Sequence, residues 1–120
     1  MKLGTDIIAI NRVQKALDKF GDKYKKRFLS NKEIATLSSK TDSIAGYWAA
    51  KEAISKALGC GIGLQLKFHD ITIYKDSFNA PHFSLSNNAQ KIHRIKSSSL
   101  SISHDGGFAI AVVIIETIKN

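Results

Sequence analysis

The end of the chain contains the feature that most constrains the fold, a pair of strand-like segments joined by a tight turn. Residues 100–104 and 108–115 are the clearest strands in the sequence and contain many β-branched side chains. Between them, Asp105-Gly106-Gly107 is typical of the turn of a β-hairpin, because aspartate and glycine accept the backbone angles that such turns need. The sequence therefore predicts an antiparallel hairpin in this region.

The first half of the chain carries helical patterns instead. Apolar residues spaced i, i+3, i+4 and i+7 predict a helix that begins near Asn11 and ends at Gly21. This stripe consists of Val13, Ala16, Leu17 and Phe20. Ser30-Asn31-Lys32-Glu33 forms a capping box, which predicts a short helix and accounts structurally for Glu33. A longer helix is expected over residues 41–58, with Gly59 as its C-terminal stop.

Three further strands are predicted at residues 3–10, 68–74 and 81–85, with a short helix near residues 88–94. Helices thus cluster early in the chain and antiparallel strands late. This order favours an α+β fold. We expect one compact domain over residues 1–120, in which the early helices pack on an antiparallel sheet.

The charge of the chain is strongly basic and uneven. The net charge is +8, and residues 1–60 contain 12 Lys/Arg against 6 Asp/Glu. A concentrated basic surface favours an anionic partner, such as a nucleic acid, a phosphorylated cofactor, a membrane or an acidic protein. The alternative is a solvated face that only aids solubility. Charge alone leaves these alternatives open.

Three observations bear on the cellular compartment. No apolar run approaches the roughly 18 residues that indicate a membrane-spanning helix. The first ten residues also lack the features of a signal peptide, since Asp6 interrupts them and no small-residue cleavage site follows. The single cysteine, Cys60, cannot form an internal disulfide. We therefore expect a cytoplasmic protein.

Asp6 is a carboxylate within an otherwise apolar strand. Burying an unpaired carboxylate is costly, so it needs a cation, a metal ion or several backbone amides as partners. A residue that caps the strand end or a turn is the alternative interpretation. Asp6 is therefore a candidate ligand for a metal ion.

Glu52 and Lys56 lie four residues apart, on one face of the longer predicted helix. One could bind a metal ion and the other a phosphate, although most pairs of this spacing are simple surface ion pairs. Small residues make this helix narrow enough for a ligand or another backbone to approach. They are Ala49, Ala50, Ala53 and Ala57.

His104 ends a predicted strand just before the hairpin turn. A histidine in this position could donate to a phosphate or could simply cap the turn. The sequence has no zinc-binding pattern, nucleophile elbow, Walker loop or dinucleotide-binding fingerprint. These chemistries are therefore not indicated.

Three segments taken together resemble the bacterial holo-[acyl-carrier-protein] synthases. The first is Gly4-Thr5-Asp6-Ile7-Ile8, followed by Arg12. The second runs from Trp48 to Gly59 and contains Lys-Glu-Ala and Lys-Ala-Leu-Gly. The third is Ser101-Ile102-Ser103-His104-Asp105, followed by Phe108-Ala109-Ile110-Ala111. The resemblance spans nearly the whole chain, in the right order.

The resemblance implies transfer of the 4'-phosphopantetheine group of coenzyme A to a serine of apo-acyl carrier protein, for fatty acid biosynthesis. It implies that Asp6 and Glu52 hold a Mg²⁺ ion and that Lys56 contacts the phosphates. These three residues are the expected catalytic group. Mg²⁺ prefers one or two protein carboxylates together with water and phosphate oxygens, which suits this pair. Glu52 is also our candidate for the base that deprotonates the serine.

Further residues are assigned to coenzyme A by the same resemblance. His104 lies in a site that this family forms between neighbouring subunits of a trimer, and Gly59 and Pro81 are expected to contribute to it. Relatives often have a basic residue where this chain has Tyr47. We therefore expect Lys51 to replace that phosphate contact.

The first helix is the expected docking surface for acyl carrier protein. The resemblance implies that Arg12 meets an acidic helix of the carrier protein, and Lys15 and Lys19 lie on the same basic face. Opposite charges of this kind steer encounter and raise association rates.

Two other functions remain possible from the residues alone. A small basic nucleic-acid-binding module would fit the charge and size but would leave Asp6 and Glu52 without a role. A structural subunit that binds an acidic protein would bind no cofactor. We expect coenzyme A and acyl carrier protein as partners, and neither a nucleic acid nor a membrane.

Overall fold

The computed structural model describes residues 1–119 of the chain, and these form an α+β fold, as predicted. The elements follow one another along the chain as β1 (Lys2–Ala9), α1 (Ile10–Phe20), α2 (Asp22–Phe28), α3 (Asn31–Thr36), α4 (Thr41–Ala57), a 3₁₀ turn (Phe68–Asp70), β2 (Ile71–Lys75), β3 (Pro81–Leu85), α5 (Asn87–His93), β4 (Ile95–Asp105) and β5 (Phe108–Thr117). In this described part of the chain, no helix has the length and apolar character needed to cross a membrane.

The strands form two antiparallel sheets rather than the single sheet expected. One has three strands in the order β1-β5-β4, and the other is the β2-β3 hairpin. In the three-stranded sheet, Asp6 pairs with Ala111, and Ala111 pairs with Ile102. The predicted turn at residues 105–107 joins β4 to β5, so the sequence located this hairpin correctly.

Helix α4 lies on one face of the three-stranded sheet and forms the centre of the core. Its alanines are buried there: Ala49, Ala50, Ala53 and Ala57. The approach is so close that a Cβ on Gly4 would lie 2.0 Å from the Ala53 carbonyl oxygen. Small residues on both elements therefore let helix and strand touch, which brings the side chains beside them into contact.

The opposite face of the same sheet is apolar and exposed. Its apolar residues come from β1 and from the central strand β5: Leu3, Ile7, Phe108, Ile110, Val112 and Ile114. On β4, the neighbouring positions of this face are the exposed Ser99, Ser101 and Ser103. We call these nine residues the outer sheet face.

Three segments differ from the sequence-based prediction. Helix α2 was not predicted, because its sequence is mostly charged. It contacts the core through Tyr24 and Phe28. The predicted strand over residues 68–74 begins with the 3₁₀ turn and becomes a strand only at Ile71. Strand β4 begins at Ile95, earlier than predicted, because a run of serines hid its first half.

Candidate active site

An ion pair joins β1 to the C-terminal half of α4. The Lys56 Nζ donates to Asp6 Oδ1 at 3.0 Å. The Asp6 side chain is 13% exposed, whereas Lys56 is 54% exposed. Lys56 therefore stabilises the largely buried carboxylate of Asp6, while about half of its own side chain stays exposed to solvent.

Glu52 stands beside this pair, and its environment disfavours negative charge. Burial raises the pKa of Glu52, the charge of Asp6 raises it further, and the charge of Lys56 acts in the opposite direction. Two carboxylates and one ammonium group therefore interact in a single cluster, which we call the Asp6 cluster. One more cation would relieve the repulsion between the carboxylates.

The donor set of this cluster suits Mg²⁺. Among residues 1–119, no group of three or more His, Cys, Asp or Glu side chains could hold a metal ion. Mg²⁺ does not need such a cage, because it is usually held by one or two carboxylates, with water and substrate phosphate completing its octahedron. Asp6 and Glu52 fit this requirement.

A cavity of about 670 Å³ opens between α3, the start of α4 and the β2-β3 hairpin. It adjoins a smaller one of about 230 Å³ that includes Pro81. We call the two together the His104 cavity. They share Asp42, Ser43, Tyr47, Lys75, Asn79 and His104.

Basic side chains surround this cavity. Three lysines, Lys32, Lys40 and Lys75, line it together with His104. His104 Nδ1 lies 3.5 Å from Asp42 Oδ2, so one carboxylate faces the imidazole ring. With three lysines around a single such pair, the cavity favours an anionic ligand.

The structure corrects the prediction that Lys51 contacts the cofactor. Its side chain is 0% exposed, and the ammonium group has three acceptors. They are the carbonyl oxygens of Phe28 (2.7 Å) and Phe68 (3.2 Å) and Glu33 Oε1 (2.8 Å). Burial lowers the pKa of Lys51, and Glu33 opposes that shift. Lys51 has no remaining donor for a phosphate, and Lys75 is the lysine beside Tyr47 in the cavity.

The other predicted residues lie at the surface or at element ends. Gly59 follows α4 and has a φ of +81°, as expected of a helix stop. Pro81 begins β3. Arg12, Lys15 and Lys19 are exposed on α1, as a docking surface requires.

The Asp6 cluster and the His104 cavity lie on different flanks of α4. Tyr47 faces the cavity and Glu52 faces the cluster. Tyr47 and Glu52 are five positions apart, and in an α-helix this separation places two side chains about 140° apart around the axis. Asp42 and Glu52 are also separated by about 15 Å along the axis, at 1.5 Å per residue. Within the chain, therefore, the two regions face in different directions.

Comparison with known proteins identifies the family of this chain. Residues 2–113 match the family model of the 4'-phosphopantetheinyl transferase superfamily. The chain belongs to this superfamily. A holo-[acyl-carrier-protein] synthase of Sulfurovum sp. (strain NBC37-1) is 61% identical over 116 residues, which cover 97% of both chains. The predicted membership of the superfamily is therefore confirmed.

Solved structures of this superfamily share the fold closely. The Helicobacter pylori holo-[acyl-carrier-protein] synthase, in complex with coenzyme A, has a TM-score of 0.92 and 49% identity and covers 95% of this chain and 99% of its own. The Bacillus anthracis synthase, in complex with CoA (3',5'-ADP), has a TM-score of 0.82 and 37% identity and covers 98% and 96%. The predicted fold and transferase class are thus confirmed, and these comparisons do not support the nucleic-acid-binding alternative.

Sequence reasoning missed several residues of the His104 cavity. Asp42, Lys40 and Lys75 carry no motif, and they come together only because α4 begins beside the hairpin of β2 and β3. The excess of basic residues was the one signal in the sequence for the two lysines, and Asp42 had none.

Proposed function

We propose that this superfamily member transfers the 4'-phosphopantetheine group of coenzyme A to a serine of apo-acyl carrier protein, with the Asp6 cluster as its catalytic centre. The observation that carries the proposal is the meeting of two carboxylates and a lysine from β1 and α4, beside open solvent. A cluster built only for stability gains little from a second carboxylate, because like charges repel. A site for phosphoryl transfer needs this combination.

In the proposed reaction, the serine hydroxyl oxygen attacks the phosphorus of the pantetheine phosphate. The bond to adenosine 3',5'-bisphosphate breaks, and this bisphosphate leaves. Asp6 and Glu52 would hold Mg²⁺, which would polarise the pyrophosphate and neutralise the charge of the leaving group. Lys56 swings its exposed ammonium group from Asp6 toward the phosphate oxygens. Glu52 would accept the serine proton, directly or through a water molecule.

The adenosine bisphosphate part of coenzyme A is assigned to the His104 cavity. Lys75 supplies positive charge within it, His104 offers a hydrogen-bonding imidazole ring, and Pro81 contributes an apolar wall. Gly59, at the other end of α4, leaves open space there, since nothing lies within 4 Å of the position of a Cβ. Coenzyme A would then span the two regions.

A homotrimer is proposed because one protomer presents the two halves of this site on different flanks of α4. A neighbouring copy could bring its His104 cavity to the Asp6 cluster of the first. The outer sheet face supplies a contact surface, since exposed apolar patches of this extent mark interaction sites. Each protomer then contributes to two composite sites.

The acyl carrier protein is assigned to the basic face of α1. Arg12, Lys15 and Lys19 are exposed on it, and residues of α2 extend the positive surface. Charge complementarity would guide an acidic carrier to this face.

Intact-mass spectrometry tests the activity. The protein is incubated with apo-acyl carrier protein, coenzyme A and Mg²⁺, and the carrier is expected to gain the mass of one phosphopantetheine. A chelator should abolish the gain, and added Mg²⁺ should restore it. No gain at saturating coenzyme A would refute the activity, and a gain that resists chelation would refute the metal assignment.

A further inference from the structure

A second charged pair lies deep in the protein, away from the Asp6 cluster. Glu33 and Lys51 are 1% and 0% exposed and meet at 2.8 Å. In addition to Lys51, Glu33 Oε1 accepts from the Ser30 backbone amide at 2.8 Å, and Oε2 accepts from the Ile73 amide at 2.9 Å. Every polar atom of the pair is therefore satisfied.

The pair joins segments that are distant in the sequence. Lys51 reaches the carbonyl oxygens of Phe28, at the end of α2, and of Phe68, in the 3₁₀ turn. Glu33 connects the start of α3 to β2 through Ile73. Four segments are thus held to the middle of α4 by two side chains.

The contact with Ile73 replaces a missing strand. Strand β2 pairs only with β3 among the described residues, so its other edge has free amides. Glu33 accepts from one of these amides and occupies the place that a neighbouring strand would take. The carboxylate therefore sets how far β2 lies from α3.

Both elements contribute walls to the His104 cavity, and Glu33 and Ile73 themselves line it. Lys32 and Thr36 line it from α3, and Thr72 and Lys75 line it from β2. Each is within three residues of Glu33 or Ile73. A change in the Glu33–Ile73 contact would therefore move cationic side chains on both walls.

Stability alone is a weak reason for such a pair. Replacing a buried ion pair with apolar groups of similar volume is often neutral or stabilising, whereas removing one partner is strongly destabilising. The hydrogen bonds of a buried ion pair fix one spacing and one orientation between the elements they join, which apolar packing does not.

We propose that Glu33 and Lys51 are positioning residues that hold the two walls of the His104 cavity at the spacing needed to bind coenzyme A. They would act through these walls, because both side chains are buried and their polar atoms are already engaged. The proposal rests on the assignment of coenzyme A to this cavity.

The test uses the double variant Glu33→Gln/Lys51→Met, which keeps the side-chain volumes and leaves no unpaired charge. The KM for coenzyme A is expected to rise about tenfold, because misplacement of binding groups by fractions of an ångström is costly, while kcat changes by less than about twofold. Direct titration with coenzyme A should show the same loss of affinity. Circular dichroism and thermal unfolding establish that the variant is folded.

Val113→Ala is the matched control for stability. Val113 is buried on β5, outside the cavity, so its truncation should lower the melting temperature without changing the KM for coenzyme A. A merely structural role of Glu33 and Lys51 predicts the same pattern in the double variant, and an unchanged KM there overturns the proposal. If the double variant does not fold, Glu33→Asp, which keeps the charge of the pair but shortens the carboxylate side chain, is measured against the same criterion.

His104→Ala separates this proposal from the assignment on which it rests. If His104→Ala leaves the affinity for coenzyme A unchanged, the assignment of the cavity is wrong. If His104→Ala weakens binding and the Glu33 variants do not, the cavity is correct and the positioning role is wrong.

Discussion

Lys56 Nζ lies 3.0 Å from Asp6 Oδ1, although the two residues are 50 positions apart in the chain. The contact depends on Gly4. Because Gly4 has no side chain, β1 can approach the backbone of α4 more closely than any other residue would allow. The close packing of a strand and a helix is therefore what builds the proposed catalytic centre. Each of its three residues is expected to contribute in a different way.

Asp6→Asn and Glu52→Gln should each lower the transfer rate by about 100-fold or more, since charged groups at a transferring phosphoryl group are worth at least this much. Both variants should remain folded, because neither change creates a cavity. The rate of carrier modification is measured as a function of Mg²⁺ concentration. Asp22→Asn, an exposed carboxylate on α2, is the control, and it should retain full activity. Full activity in either site variant would remove that residue from the proposed metal site.

Arg12→Glu should weaken the use of acyl carrier protein and leave coenzyme A binding unchanged. A reversed charge on α1 repels an acidic partner, so the KM for the carrier should rise about tenfold or more at low salt, with a smaller effect at high salt. Steady-state kinetics with each substrate varied in turn measures the two KM values. The control is Lys91→Glu, which makes the same reversal of charge on a different helix, α5. A rise only in the KM for coenzyme A would contradict the docking role.

Val112→Asp should break the proposed trimer. Val112 lies at the centre of the outer sheet face, between Thr5 of β1 and Ser101 of β4, and three buried carboxylates at a symmetric contact would be strongly unfavourable. Sedimentation velocity is expected to show a trimer for the parent protein and a monomer for the variant, with transfer activity lost as well. The control is Ile92→Asp, because Ile92 is an apolar residue on α5 that is 61% exposed. A monomeric parent protein would refute the trimer directly.

The sequence predicted the elements whose signals are local. The capping box at Ser30 and Glu33 is present, and Gly59 ends the long helix, because these features depend on a few adjacent residues. Asp6 was recognised as a carboxylate in need of a partner, but its pairing with Lys56 is tertiary, and the i, i+4 rule suggested Glu52 instead. Lys51 was misassigned for the same reason. Its acceptors come from three distant segments, so no pattern near residue 51 could indicate that it is buried.

Asp70→Asn should remove part of the dependence of stability on pH. Asp70 accepts hydrogen bonds from the Lys67 amide and the Ser86 hydroxyl, both at 2.8 Å, and so ties the 3₁₀ turn to the start of α5. The Lys67 amide, with help from Ser86, lowers the pKa of Asp70 below its usual 3.8. The carboxylate therefore stabilises the fold above pH 3.8, and this contribution is lost as the pH falls through the lowered pKa.

Thermal unfolding of the parent protein and of Asp70→Asn is compared between pH 7 and pH 3. The parent should melt at a higher temperature at pH 7, and the difference should shrink as the pH falls below 3.8 toward the lowered pKa of Asp70, because the protonated carboxyl resembles the neutral variant. Asp22→Asn reports the general effect of losing one carboxylate. A difference in melting temperature that stays constant over this range would show that the charge of Asp70 does not stabilise the junction between the turn and α5.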